Sequence, residues 1–180
     1  MEKLPNKKIE KNEKELGAEI LSSEISENDI LEIIGLYRTI FPTMVVEEKE
    51  IREALLSDGV QVVLRDAEKI IKGCVSSLPH NEAVKFLKEY DKDIVEEKDT
   101  LYIEAIMILD EYRSLKNLLE MWNTFVTEAK NRGYKKITSH TRVSQGLSKI
   151  SQKRFGAKFI RRIDNWCDYK EPFDYLEFEI

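Results

Sequence analysis

A mixed α/β sheet flanked by helices is the fold class this sequence predicts, on three observations. Segments with strand periodicity alternate with segments of helical periodicity along the chain. Between Thr100 and Gly133 an apolar strand passes through a short polar loop into a long amphipathic helix that packs one face on the sheet. The chain has 180 residues, 42% of them apolar, which suits one compact core.

Residues 1–17 are rich in lysine and glutamate and read as a flexible charged tail, leaving 18–180 as a single domain. Ala18 to Ser26 reads as a first strand. Asn28 then caps a helix with the apolar stripe Ile30, Ile33, Ile34, Tyr37 and Phe41, ended by Pro42. A second helix, Glu47 to Leu56, closes at Asp58-Gly59. Val60 to Arg65 and Lys69 to Leu78 form a hairpin around Asp66-Ala67-Glu68, with Gly73 marking a bulge or a close approach. Asn81 to Tyr90 is a short helix with Ala83, Phe86, Leu87 and Tyr90 inward. An acidic stretch, Asp91 to Asp99, leads into the strand 100–109. The long helix repeats Leu115, Leu118, Leu119, Trp122, Phe125, Val126 and Ala129 at helical spacing, and Gly133 stops it. Lys135 to Arg142 is a strand, Ser144 to Phe155 a helix, and Lys158 to Trp166 and Phe173 to Ile180 are the last strands.

Cys74 and Cys167 stand far apart, the two histidines His80 and His140 form no zinc spacing with them, and no leader or membrane span is visible. A cytoplasmic protein without a metal is expected. The two cysteines and Trp122 read as core, His140 as strand surface and His80 as the start of a loop. The net charge is −5, yet Lys130 to Arg162 holds eleven Lys or Arg and no acid. That block reads either as a solvated face or as a site for a polyanion. An acidic chain with no helix-turn-helix and no aromatic RNA platform makes nucleic acid an unexpected partner.

A helix that starts directly after a strand points unpaired amide hydrogens and its positive dipole end at the strand tip, where an anion is favoured. Arg113 and Lys116 add to that field. Glu104 lies within the apolar strand, four positions before Ile108 and so on the same face by alternation. Desolvation there raises a carboxyl pKa and suits a general base, while a glutamate pairing across the sheet or facing solvent is the competing reading.

The element order, Ile108-Leu109-Asp110-Glu111-Tyr112-Arg113 before the long helix, and Arg154-Phe155-Gly156-Ala157 before the penultimate strand resemble the GNAT superfamily of acyl-CoA-dependent N-acyltransferases over roughly residues 18–180. The resemblance implies acetyl-CoA as cosubstrate, an amine acceptor of unknown identity and Glu104 as base. It also implies a cofactor contact formed by Ile108, Arg113, Ser114, Leu115, Lys116, Asn117 and Leu118. Arg113 matches the first position of the family's pyrophosphate loop, but Lys116 and Leu118 stand where glycine, and glycine or alanine, are usual. Gln145 and Gln152 occupy the family's Asn and Tyr positions, and an amide cannot act as the acid that protonates a leaving thiolate. An oxyanion donor is expected among the amides of Met107 to Leu109. A non-catalytic binding or sensor module on the same fold is the alternative. The acidic stretch would steer a cationic amine, and pairing of the C-terminal strand between subunits would give a homodimer in place of a monomer.

Overall fold

The computed structural model describes residues 16–22, 24–42, 46–166 and 169–180. Of the charged tail expected over 1–17, residues 1–15 lie outside the described residues, as does Cys167, while Leu16 is buried in the core and Gly17 opens the first strand. The elements follow the expected order: β1 (Gly17–Ile20), α1 (Glu27–Ile40), α2 (Glu48–Leu55), β2 (Val62–Arg65), β3 (Ile71–Pro79), α3 (His80–Leu87), β4 (Thr100–Ile108), α4 (Leu115–Asn131), β5 (Lys136–Arg142), α5 (Leu147–Arg154), β6 (Lys158–Ile163) and β7 (Phe173–Glu179). They form a seven-stranded sheet in the order β1-β2-β3-β4-β5-β7-β6. Every pair is antiparallel except β4 with β5.

Helix α4 covers one face of the sheet, where Met121, Phe125 and Ala129 bury themselves against Leu101, Ile103, Ile137 and Leu176. Fully burying side chains of this size contributes about 1.5–3 kcal/mol each. Helices α1 and α2 cover the opposite face, with Ile33, Ile34, Ile51 and Leu55 on Val63, Cys74 and Met107. Near α3 that face continues as a third cluster around Leu78, Tyr102, Trp166 and Tyr175. Gly73 is a close approach as expected: a Cβ there would stand 2.9 Å from the Met107 carbonyl, and the β2–β3 register slips beside it.

Several local expectations are corrected. The first strand is Gly17–Ile20 alone, and Ser26 caps α1 in place of Asn28, its hydroxyl accepting from the Asp29 amide at 3.1 Å. Helix α3 starts at His80, so His80, Ala83, Val84 and Leu87 form its buried stripe while Phe86 and Tyr90 turn outward. The sixth strand ends at Ile163, well before Trp166. Strand β7 is flanked by β5 and β6 within the chain, so it has no open edge for pairing with a second subunit.

Candidate active site

The site grows out of one irregularity in β4. Ser76 of β3 pairs with Ala105 and the next residue, Ser77, pairs with Ile103, so Glu104 is the extra residue of a β-bulge. The bulge resets the alternation. Leu101 and Ile103 face α4 before it, Ile106 and Ile108 face α4 after it, and Ala105 and Met107 face α1 and α2. Glu104 and Ile108 are therefore on opposite faces, contrary to simple alternation, and Glu104 joins the α1 side.

There it meets two hydroxyls. The Tyr37 hydroxyl from α1 and the Ser76 hydroxyl lie 3.1 Å apart, and both stand close enough to the Glu104 carboxylate to favour its ionised form. Solvent reaches Glu104, yet protein surrounds it closely enough that desolvation pushes its carboxyl up to about 7. The two hydroxyls oppose that shift and the nearby charge of Glu50 on α2 adds to it. Among the described residues no cation neutralises the group, so the pairing of Glu104 across the sheet weighed from sequence is not the arrangement found. Cys74 beneath it is fully buried, and burial together with the Glu104 charge pushes its thiol up to about 12, leaving it unreactive.

The bulge coincides with a parting of strands. β4 pairs with β5 only from Thr100↔Lys136 to Ile103↔Ser139, and beyond that point β5 runs on beside β7 alone. The backbone of Glu104 to Ile108 thus has a strand on the β3 side and none on the β5 side, an edge inside the sheet that can accept an extended ligand. At the far end of this stretch the Leu109 amide donates to the Lys72 carbonyl at 3.0 Å. It is unavailable as an oxyanion donor, and by the two-residue alternation of an antiparallel ladder the Met107 amide also points toward β3, which leaves Ile108 from the expected set.

The loop after β4 is one turn of 3-10 helix, Asp110–Tyr112, followed by Arg113 and Ser114. Ser114 is the N-cap of α4, accepting from the Asn117 amide at 3.1 Å. Arg113 Nε donates to the Ile108 carbonyl at 3.0 Å while its outer guanidinium nitrogen pairs with Asp110 at 2.9 Å, so the head is held over the end of β4 and half exposed. Lys116 and Leu115 stand in the first turn beside it. Asn117 is buried and donates to the Tyr112 carbonyl at 2.8 Å, and Leu118 packs on the α4-side core. Tyr112 is buried in the same core.

A second polar group lies further along the α1–α3 face, where sequence reading missed it. The His140 ring is buried, stacked on Trp166 with centroids 3.9 Å apart. Its Nε2–H donates to Asp91 at 3.0 Å and its Nδ1 accepts from the Tyr102 hydroxyl at 3.2 Å. Asp91 is also clamped by both forks of Arg161. Burial alone would raise the Asp91 carboxyl, but His140 and Arg161 outweigh it and hold it at about 2. Burial lowers His140 and so keeps it neutral. His80 is likewise buried, its Nε2 3.2 Å from the Tyr175 hydroxyl. Both histidines were placed at the surface or in a loop by sequence. No local signal marked them, because Asp91 lies 49 positions from His140 and 70 from Arg161 in sequence and meets them only in the folded chain.

The same pairing dissolves much of the charge asymmetry. Six of the eleven basic residues meet acids: Arg132 with Glu128, Lys135 with Asp99, Lys136 with Glu97, Arg142 with Glu171, Arg161 with Asp91 and Arg162 with Asp174. The stretch Asp91 to Asp99 supplies three of those partners, so it is largely neutralised in place of steering a cation. Lys149, Lys153 and Arg154 of α5 stay exposed, on a helix whose end contacts α4 through Phe155 and Trp122, centroids 4.8 Å apart. Gln152 on the same helix donates its amide to the Ser148 carbonyl and hydroxyl. Among the described residues, no group of three or more His, Cys, Asp or Glu is placed to hold a metal ion, and no helix is long and apolar enough to cross a membrane.

No protein-family model matches the chain, and no curated protein sequence matches it. Solved structures do match. An acetyltransferase of the GNAT family from Staphylococcus aureus Mu50 superposes with a TM-score of 0.64 at 12% identity, over 91% of this chain and 99% of that one. The fold is that of the GNAT acetyltransferases. A NatC complex bound to a Gag peptide and CoA gives 0.71 at 12% identity over 92% and 99%, and an aminoglycoside 6'-N-acetyltransferase complexed with coenzyme A gives 0.66 at 10% over 90% and 96%. Within this GNAT fold the loss of the loop glycines carries no backbone strain. Among the described residues, only Lys69 and Asp99 and three glycines at 133, 146 and 156 have positive φ, so Lys116 and Leu118 sit in ordinary helical conformations. A lysine side chain thus stands in the first turn of α4, beside Arg113 and Ser114, without backbone strain.

Proposed function

We propose that this protein is an acyl-CoA-dependent N-acyltransferase acting on a primary amine, with Glu104 as its base. The observation that carries this reading is the bulge, which sets a carboxylate, without a cationic partner among the described residues, beside the place where β4 and β5 part. When bound, acyl-CoA would supply a thioester as the activated acyl group. Glu104, with its carboxyl raised to about 7, takes a proton from an ammonium acceptor and frees its lone pair near neutral pH. The Tyr37 and Ser76 hydroxyls orient that carboxylate. The Ile108 amide, which faces away from β3, is the candidate to meet a developing oxyanion. Arg113, Ser114, Leu115, Lys116 and the first turn of α4 would hold the pyrophosphate by charge and dipole. Asn117 and Leu118 shape the loop from below, and Ile108 anchors Arg113 through its carbonyl. The acceptor enters from the α1–α2 face, where Glu104 lies.

One observation favours the alternative of a binding or sensor module: Gln152 occupies the position of the family's acid and its amide is engaged with Ser148. Calorimetric titration with acetyl-CoA and CoA separates the two readings, with Arg113→Ala beside the wild type. Micromolar binding weakened about tenfold by the substitution, together with CoA release in an amine screen, is expected. Binding without turnover of any amine makes the protein a sensor of acyl-CoA, and no binding at millimolar CoA overturns the enzyme reading and leaves a module for other ligands or partner proteins.

A further inference from the structure

The bulge on β4 lies across from a stretch of β3 that is itself held in an unusual way. Strand β2 begins at Val62, so Val60 and Gln61 lie beyond the regular β2–β3 ladder. Two buried side chains replace it. The Gln61 side-chain carbonyl accepts from the Ser77 amide at 3.2 Å and its NH2 donates to the Ser77 carbonyl at 2.7 Å, so one side chain satisfies both backbone groups of Ser77. The Ser77 hydroxyl does the same for Val60, accepting from its amide at 3.0 Å and donating to its carbonyl at 2.8 Å. The second amide hydrogen of Gln61 reaches the Ala54 carbonyl in the last turn of α2, at 3.2 Å. Gln61 and Ser77 are 3% and 1% exposed. Gly59 fits only without a side chain, because a Cβ would stand 1.8 Å from the Ser77 carbonyl oxygen.

A buried amide is costly to desolvate, and here both of its donor hydrogens and its carbonyl are engaged by one backbone residue and one helix end. Ordinary strand pairing would satisfy Ser77 without any side chain. What the clasp adds is a fixed point for β3 at the step where its partner strand carries an extra residue. Ser77 faces Ile103 and Ser76 faces Ala105, so the clasp sits directly across β3 from Glu104. The residue adjoining it, Ser76, pairs with Ala105 next to Glu104, and its hydroxyl lies 3.1 Å from that of Tyr37 and favours the ionised Glu104 carboxylate. Through Ala54 the same amide also anchors α2, which carries Glu50 within electrostatic reach of Glu104.

We propose that Gln61 is a positioning residue for Glu104: by holding the Ser77 backbone and the end of α2 it aims the Ser76 hydroxyl, and through it the Glu104 carboxylate. The inference rests on the reading of Glu104 as the base. Its test needs no substrate, so its failure is distinguishable from failure of that reading. The Glu104 carboxyl carbon is followed by NMR titration in glutamate-labelled protein, its resonance assigned by its loss in Glu104→Gln. Wild type is compared with Gln61→Met, Gln61→Asn and a control on the other face of the sheet, Phe125→Leu. The groups that face Glu104 are Tyr37, Ser76, Cys74 and Glu50, and all are retained in every variant. In the Gln61 variants the midpoint rises by about half a pH unit or more, because hydrogen bonds to the ionised form weaken while the crowding stays. In Phe125→Leu it does not move. An unshifted midpoint in folded Gln61 variants overturns the proposal. So does loss of folding in both Gln61 variants while Phe125→Leu folds, which makes the amide a structural tie only. Should wild type turn over an amine, kcat falls in the Gln61 variants while the KM for acyl-CoA holds.

Discussion

Asp91 and Glu104 both lie on the face of the sheet opposite α4, and their surroundings drive them in opposite directions. Asp91 meets a guanidinium and an imidazole N–H, and its carboxyl falls to about 2. Glu104 meets two hydroxyls and a like charge, and its carboxyl rises to about 7. Asp91 is buried and solvent reaches Glu104, yet desolvation raises both carboxyls, so it is their partners that separate them. A cationic partner turns one carboxylate into a permanent charge that ties the 91–99 connection to β5 and β6. The lack of one leaves the other able to exchange a proton near neutral pH.

That contrast breaks most visibly in turnover. Glu104→Gln keeps the hydrogen bonds but cannot accept a proton, and a drop in kcat/KM of about 10²–10⁴-fold is expected once an acceptor is in hand. In the wild type, kcat/KM rises with pH through about 7 as the carboxyl ionises, and this rise is absent from the variant.

The Asp91 side of the comparison is a stability effect. Asp91→Asn strands Arg161 and His140 in a buried setting and is expected to cost about 3–5 kcal/mol in urea unfolding. Because the folded pKa is depressed, the contribution of Asp91 is fully present above the unfolded value of about 3.9. It is lost as pH falls through about 2. Wild type thus loses stability over that acid window and the variant loses less.

Glu104 has the opposite sign. Its folded pKa lies above its unfolded value, so the folded state binds the extra proton and stability declines as pH rises from about 4 through 7. Glu104→Gln is therefore expected to stabilise the protein at pH 8 and not at pH 4. The gain is on the order of 1 kcal/mol, since solvent screens a carboxylate it can reach. The smallest change sharpens the loop: Ser114→Ala removes the α4 cap and costs about 1 kcal/mol, read as a lower melting temperature. It also weakens CoA binding if the start of α4 holds the pyrophosphate.

The order of elements was legible because each carries its own period: the stripe from Leu115 to Ala129, the alternation over Lys136–Arg142 and the turn residues at Asp66–Glu68 act through neighbours in sequence. The Arg113–Leu118 loop was legible for the same reason, as a polar break between a strand and a helix. The acidic site was only half legible. Glu104 stood out as a charge in an apolar strand, but its face did not follow from alternation, because a bulge depends on the partner strand. His80 and His140 went unread because their burial depends on Trp166, Tyr175 and Asp91, which are remote in sequence.

By itself, then, the sequence determined the element order, the α/β class and a carboxylate set in an apolar strand, since propensity and periodicity are local. Tertiary structure decided which face that carboxylate took, which of the basic residues were neutralised and that Gln61 closes on Ser77. Each of these is an energy between residues tens of positions apart, where desolvation and pairing are settled only when the strands meet.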